Sequence, residues 1–167
     1  MFELKPISPE SVPNALSRAK QYRWLNQPWQ AESICRDILE IELKNQQAII
    51  TLILAITDQF GTDRSPSEAN AKELCALLES EYQQKYYRGM VLERLGHAAR
   101  KRHTPRSRYI AFELYRQALA FYEDAEKLRP EDNQESVLRW NACVRTIREY
   151  RLEPAPKEEN PQPFLDV

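Results

Sequence analysis

His97 and His103, with Cys35, Cys75 and Cys143, are the side chains of this 167-residue chain best suited to metal ligation or nucleophilic attack. Neither set has workable spacing. The histidines stand six apart, whereas two ligands on one helix face stand four apart, as in H-E-x-x-H. His103 is expected in a loop and His97 on a helix surface. The cysteines are odd in number, lack a C-x-x-C pair, and fall on the apolar sides of expected helices, where reduced thiols pack as small hydrophobes. No serine lies in G-x-S-x-G, and no glycine-rich phosphate loop occurs in a chain with only three glycines. The carboxylates sit at helix starts and on solvent faces. The expectation is a non-enzymatic protein with no catalytic residue, no metal and no cofactor.

What remains is charge. The net charge is −1, but residues 85–116 carry 9 basic and 2 acidic residues, between two flanks of net −4 each. Arg88, Arg94, Arg100, Lys101, Arg102, Arg106, Arg108 and Arg116 make up most of this basic island. Their guanidinium forks suit carboxylate or phosphate. The hairpin "ARKRHTPRSR" could meet a nucleic-acid backbone, with Tyr86, Tyr87 and Tyr109 available for stacking. It could equally be a solvated loop that complements a helix C-terminus, or a surface for an acidic protein partner. A pI near 6.2 argues against general nucleic-acid binding.

Seven helices must position these groups. Apolar spacing of three and four predicts the first over about Ser11–Leu25. "NQP" breaks it, and Pro28 opens the second helix, which runs towards Lys44. The third follows Asn45 through the apolar run "AIITLILAI" and ends at Gly61. A capping box at Ser65–Glu68 opens the fourth, expected to reach about Glu81. The fifth is expected at Tyr86–Arg102. Thr104 and Pro105 would start the sixth, which stops at Pro130, and Asp132–Glu135 would cap the seventh, ending at Tyr150. No strand pattern competes, so the fold class is all-α. Residues 1–10 read as an N-terminal extension, 11–150 as the helical domain and 151–167 as a flexible, proline-rich acidic tail. The aromatic side chains, Trp24, Trp29, Phe112, Phe121 and Trp140 among them, read mostly as core.

A repeat is visible across these helices. Leu92-x2-Leu95-Gly96-x2-Ala99, followed by Ala111-x3-Tyr115 and Ala118, matches the W-x2-L-G-x2-Y and A-x3-F spacing of a ~34-residue helical hairpin. Ala19, Tyr22 and Ala31-x3-Cys35 form a weaker copy, and Leu54-Ala55 with Ala71-x3-Cys75 another. The chain therefore resembles the tetratricopeptide-repeat (TPR) family over about Pro13–Tyr150. It departs from the pattern in having no tryptophan at the first position and in a second helix of the last repeat that runs about two turns long, over Glu123–Leu128. The resemblance implies a right-handed superhelix of about three TPR-like hairpins plus a C-terminal capping helix. It also implies a protein–protein interaction module, an adaptor, scaffold or chaperone-like protein. A bacterial secretion-type chaperone of similar size would fit that architecture.

In such domains the first helix of each hairpin lines a concave groove. By repeat phase the peptide-groove candidates are Lys20, Arg23, Ile49, Leu52, Ile56, Met90, Glu93, His97, Arg100 and Arg139, an apolar floor with cationic ends. Leu16 and Lys20 stand where the carboxylate clamp of chaperone-binding relatives has lysine and asparagine, so that clamp is not expected. The basic surface comprises Arg88, Arg94, Lys101, Arg102, Arg106 and Arg108. The expected partner is a protein or peptide, acidic or ending in a free carboxylate. The alternative is a nucleic acid on the Arg-rich hairpin 100–108. The tail's own "PFLDV", with Phe164, Leu165 and Asp166, has the chemistry to occupy the groove and so to mediate self-association. No apolar run reaches the ~20 residues of a membrane span, and no secretory leader is seen. With reduced cysteines, the expected compartment is the cytoplasm.

Overall fold

The computed structural model describes residues 2–64, 66–102, 104 and 106–156. After a 3-10 turn at Pro9–Ser11 come α1 (Val12–Trp24), α2 (Pro28–Ile41), α3 (Gln46–Asp58), α4 (Glu68–Ala76), α5 (Glu81–Arg100), α6 (Ser107–Leu128) and α7 (Glu135–Glu149). There is no strand among the described residues. The all-α expectation and its seven helices stand.

Local chemistry explains most of the boundaries. At the end of α1 the chain turns through Asn26 at φ +56°, a left-handed position that asparagine tolerates. There the Gln27 N–H donates to the Tyr22 carbonyl at 2.9 Å and the Asn26 N–H to Arg23 at 3.0 Å. That pair of bonds satisfies two orphan carbonyls and lets Pro28 start α2 at once. Asn45 caps α3 by accepting from the Ala48 N–H at 2.9 Å. α3 stops at Asp58, three residues before Gly61, which adopts φ +79° in the following turn.

Expected boundaries are corrected from α4 to α7, and α5 itself starts at Glu81 rather than Tyr86. α4 ends at Ala76 rather than near Glu81, because Ser80 opens α5 there, its hydroxyl accepting from the Gln83 N–H. The α4 start also differs: Glu68 is its first residue, and Ser67 occupies the cap position without a side-chain bond. The capping box placed on Ser65 and the helix start placed on Pro105 fall on residues outside the described set, as does His103; α6 begins at Ser107. Before α7, Asn133 rather than Asp132 supplies the polar contact, accepting from the Glu135 N–H at 2.9 Å.

Each helix packs against the next. In addition α1 meets α3, α3 meets α5 and α5 meets α7. α3 is therefore enclosed by α1, α2, α4 and α5, which explains why its residues are apolar nearly all round. Its isoleucines and Leu52 join Ala19, Cys35, Cys75 and Val91 in one core cluster. A second cluster joins α5, α6 and α7 through Tyr86, Met90, Ala111, Tyr115, Tyr122 and Cys143.

The broadest contact, α5 on α6, depends on two glycines seven residues apart. A Cβ at Gly89 would lie 2.8 Å from the Tyr122 ring, and one at Gly96 3.1 Å from the Tyr115 ring. Missing side chains on α5 thus form the slots into which α6 seats its tyrosines. The extra turns of α6 carry Ala125, which is buried in the same cluster as Cys143 of α7.

All three cysteines are free and buried. Burial pushes the Cys35 and Cys75 thiols up to about 12, and Cys143 upward as well. They stay protonated and act as packing residues, as their positions on the helices implied. Trp24 contradicts the core expectation: it is 83 % exposed, and Leu25 and Trp29 beside it are also exposed. The turn at Asn26 aims all three outward at the α1–α2 corner.

Candidate functional site

Because α1, α3, α5 and α7 lie side by side, their polar residues meet across a shared face. Lys20 on α1 donates to the Gln47 side chain of α3 at 3.1 Å. Arg23, near the end of α1, bonds Asp58 Oδ2 at 2.7 Å. Asp58, the last residue of α3, also receives Arg94 Nη1 of α5 at 2.5 Å. The same Arg94 nitrogen bonds Thr57 Oγ1 at 2.6 Å and the Leu54 carbonyl at 3.1 Å. One carboxylate thus ties three helices together.

The residue just before Arg94 on α5, Glu93, does similar work. It accepts from Arg139 of α7 at 3.2 Å through Oε1, and from the Tyr122 hydroxyl of α6 at 2.5 Å through Oε2. Burial pulls the Arg94 guanidinium below its usual value, opposed by the Asp58 carboxylate. Burial next to the Glu93 charge drives the Tyr122 hydroxyl far up, so it remains a donor.

Between these ties opens a polar cleft of about 440 Å³, lined by Asp58, Glu93, Arg94, His97, Lys101 and Thr146 among others. Partial burial lowers the His97 pKa, and the charges of Lys101 and Arg100 lower it further. The imidazole is therefore neutral at pH 7, available both to donate and to accept. His97 and Lys101 are exposed and make no ion pair among the described residues, whereas Asp58, Glu93 and Arg94 are already bonded within the protein. The cleft offers hydrogen-bonding capacity and one exposed cation, Lys101. No group of metal-ligating side chains occurs among the described residues.

The sequence-based groove divides into three sets. Lys20, Arg23, Glu93, His97 and Arg139 do lie on the shared face or line its cleft. Ile49, Leu52, Ile56 and Met90 do not: each is at most 4 % exposed and packs within the core. The expected apolar floor is thus corrected to a polar one, because α3 is enclosed by four helices and turns its apolar residues into them. Arg100 is also diverted, its guanidinium stacking 3.7 Å from the centroid of the Tyr150 ring just after α7.

The basic surface is dispersed in the same way. Arg94 belongs to the Asp58 tie, Arg116 pairs with Glu113 at 2.9 Å, and Arg88 sits beside Phe121. Arg108 donates to the Tyr150 and Arg151 carbonyls at 3.2 and 2.7 Å, where Arg151 turns through φ +48°. Arg108 thus complements the end of α7, whereas the end of a helix within the third hairpin was the one considered for it. Lys101, Arg102 and Arg106 are left exposed to solvent. Asp58, Thr57 and Tyr122 were not anticipated as members of the face. A signal existed only for Tyr122, since Gly89 stands seven residues before Gly96 and marks a second close crossing.

No family model, curated protein or solved structure matches the chain. The geometry of this face therefore has to carry the functional reading.

Proposed function

We propose that the chain is a non-enzymatic interaction module of TPR-like build that holds a segment of a partner protein on the face shared by α1, α3, α5 and α7. The observation that carries the reading is the polar cleft between helices already cross-tied by Asp58 and Glu93. A site whose supporting helices are fixed beforehand loses little conformational freedom on binding, which is what a recognition surface needs. The TPR-like arrangement is supported by three features. Every first helix contacts the next first helix. The small residues Ala19, Ala55 and Gly96 recur, all of them buried. Gly96 also receives the Tyr115 ring from the second helix of its hairpin.

The polar floor sharpens the ligand class. A segment rich in backbone and side-chain acceptors, with an acidic group towards Lys101, fits better than an apolar anchor. The proposed compartment is the cytoplasm, where three reduced and buried thiols are at home. No described helix is long and apolar enough to cross a membrane.

Charge reversal tests the reading. A Lys101→Glu/His97→Ala double variant is expected to lose most of the protein captured by the natural chain from its source cells. An Arg36→Glu variant on α2 should retain it, since Arg36 lies away from the cleft and pairs only with Glu32. Equal capture by both variants would remove the cleft from the account. Salt-sensitive recovery of nucleic acid through Arg102 and Arg106 would favour the hairpin alternative instead.

A further inference from the structure

A second basic surface lies outside that cleft. Where α4, α5 and α6 meet, a shallow pocket of about 220 Å³ is lined by Lys72, Cys75, Gln84, Lys85, Arg88 and Phe121, with Ala76 at its edge. Three cations surround it and no carboxylate lines it. Lys85 and Arg88, three apart on α5, share one helix face. The Lys85 ammonium and the Arg88 guanidinium carbon each stand 5.9 Å from the centroid of the Phe121 ring. Neither makes an ion pair among the described residues, and Lys72 pairs only with the exposed Glu68, at 3.2 Å. Their field reaches inward: the Arg88 charge acts on the buried Cys75 thiol against the burial that raises it. Like charges held around one ring without a counter-charge leave an electrostatic deficit that an anion would relieve.

We propose that this pocket binds an acidic segment of a partner protein, two neighbouring carboxylates meeting Lys72, Lys85 and Arg88. Size selects the class of partner. Small-molecule sites run from about 300 Å³ upward and enclose their ligand, whereas this pocket is smaller and open, so it takes groups carried on a larger chain. Phe121 supplies an apolar wall for the methylene stems of glutamate. A nucleic acid needs an extended cationic track along its backbone; here the basic residues are confined to one spot, and Glu73, Glu79 and Glu81 are exposed on and beside the two helices that carry them.

The test is the binding of a short fluorescent polyglutamate peptide to the full chain, read by anisotropy at about 50 and about 200 mM salt. The peptide should bind the natural chain and weaken as salt rises. Lys85→Glu/Arg88→Glu should weaken it by about tenfold or more, while Arg102→Glu/Arg106→Glu, on the exposed hairpin and outside the cleft lining, stays within about twofold. Lys85→Gln/Arg88→Gln, which removes charge without adding any, should fall between, and it keeps the test alive if the reversed variant fails to fold. Three results would overturn the proposal: no loss in either variant at positions 85 and 88, an equal loss in the hairpin variant, or displacement of the peptide by inorganic phosphate or a single-stranded oligonucleotide at lower concentration than by unlabelled peptide. None of these substitutions touches the Asp58–Glu93 cleft, so failure here leaves the cleft reading standing.

Discussion

Tyr122→Ala is expected to lower the unfolding free energy by about 3–5 kcal/mol, the cost of deleting a fully buried aromatic ring. Three features place Tyr122 at the upper end for this chain. The ring is 1 % exposed and fills the slot left by Gly89, so its removal opens a cavity at the broadest helix contact in the fold. It also packs beside Tyr86, with ring centroids 5.9 Å apart. Finally, its hydroxyl donates to Glu93, whose other oxygen holds Arg139 of α7.

Tyr122→Phe separates these contributions. It keeps the ring and removes the charge-assisted hydrogen bond, for which about 1.5–3 kcal/mol is the expected loss. Urea unfolding of the two variants gives both numbers. If alanine cost no more than phenylalanine, the ring would not be filling a slot, and the close α5–α6 crossing would be wrong.

Removing the carboxylate at Asp58 should be the next most damaging change. Asp58→Ala leaves Arg23 and Arg94 facing one another without the anion that both now bond. Breaking a fully buried pair in this way costs about 3–5 kcal/mol. Here the side chains of Arg23, Asp58 and Arg94 are 19–25 % exposed, so solvent screens part of the repulsion. About 2–3 kcal/mol is the expected loss. Arg94→Met in the same background should be partly compensating, because it removes the guanidinium that the first change strands. The double variant should be more stable than the sum of the single changes by at least about 1 kcal/mol. Strict additivity would mean that Asp58 and Arg94 do not act as one unit, and the tie across α1, α3 and α5 would lose its basis.

Those two residues also mark how far the sequence could be read. Helix number and class followed from periodicity, and Pro28 and Asn45 placed two helix starts because each acts locally, Pro28 through its fixed φ and Asn45 through a side chain that caps the Ala48 N–H. The start of α5 was marked as well: Ser80 with Gln83 has the spacing of a capping box, a signal that the expected start at Tyr86 passed over. The interior of the candidate site was less legible. Repeat phase placed Lys20, Arg23, Glu93 and His97 on one common face, since one periodicity governs every first helix. It failed for Ile49, Leu52 and Ile56 on α3 and for Met90 on α5, because burial depends on how many neighbours enclose a helix, and each of these helices has four. Asp58 was invisible for a related reason. Its partners lie 35 and 36 residues away on other helices, and no local pattern announces such a pairing. The basic island misled in the opposite direction. As a run of charges it looked like one surface, yet Arg94, Arg100 and Arg108 each turn towards a different structural task.

The most direct test of the proposed interaction face is site-specific photo-crosslinking in the source cells. A photoreactive residue replaces His97, which is exposed and lines the cleft, and in a parallel chain replaces Arg116, exposed on α6. The account predicts a covalent adduct with one or a few defined proteins from position 97 and little from position 116. Equal yields at the two positions, adducts with nucleic acid alone, or no adduct at position 97 would contradict it.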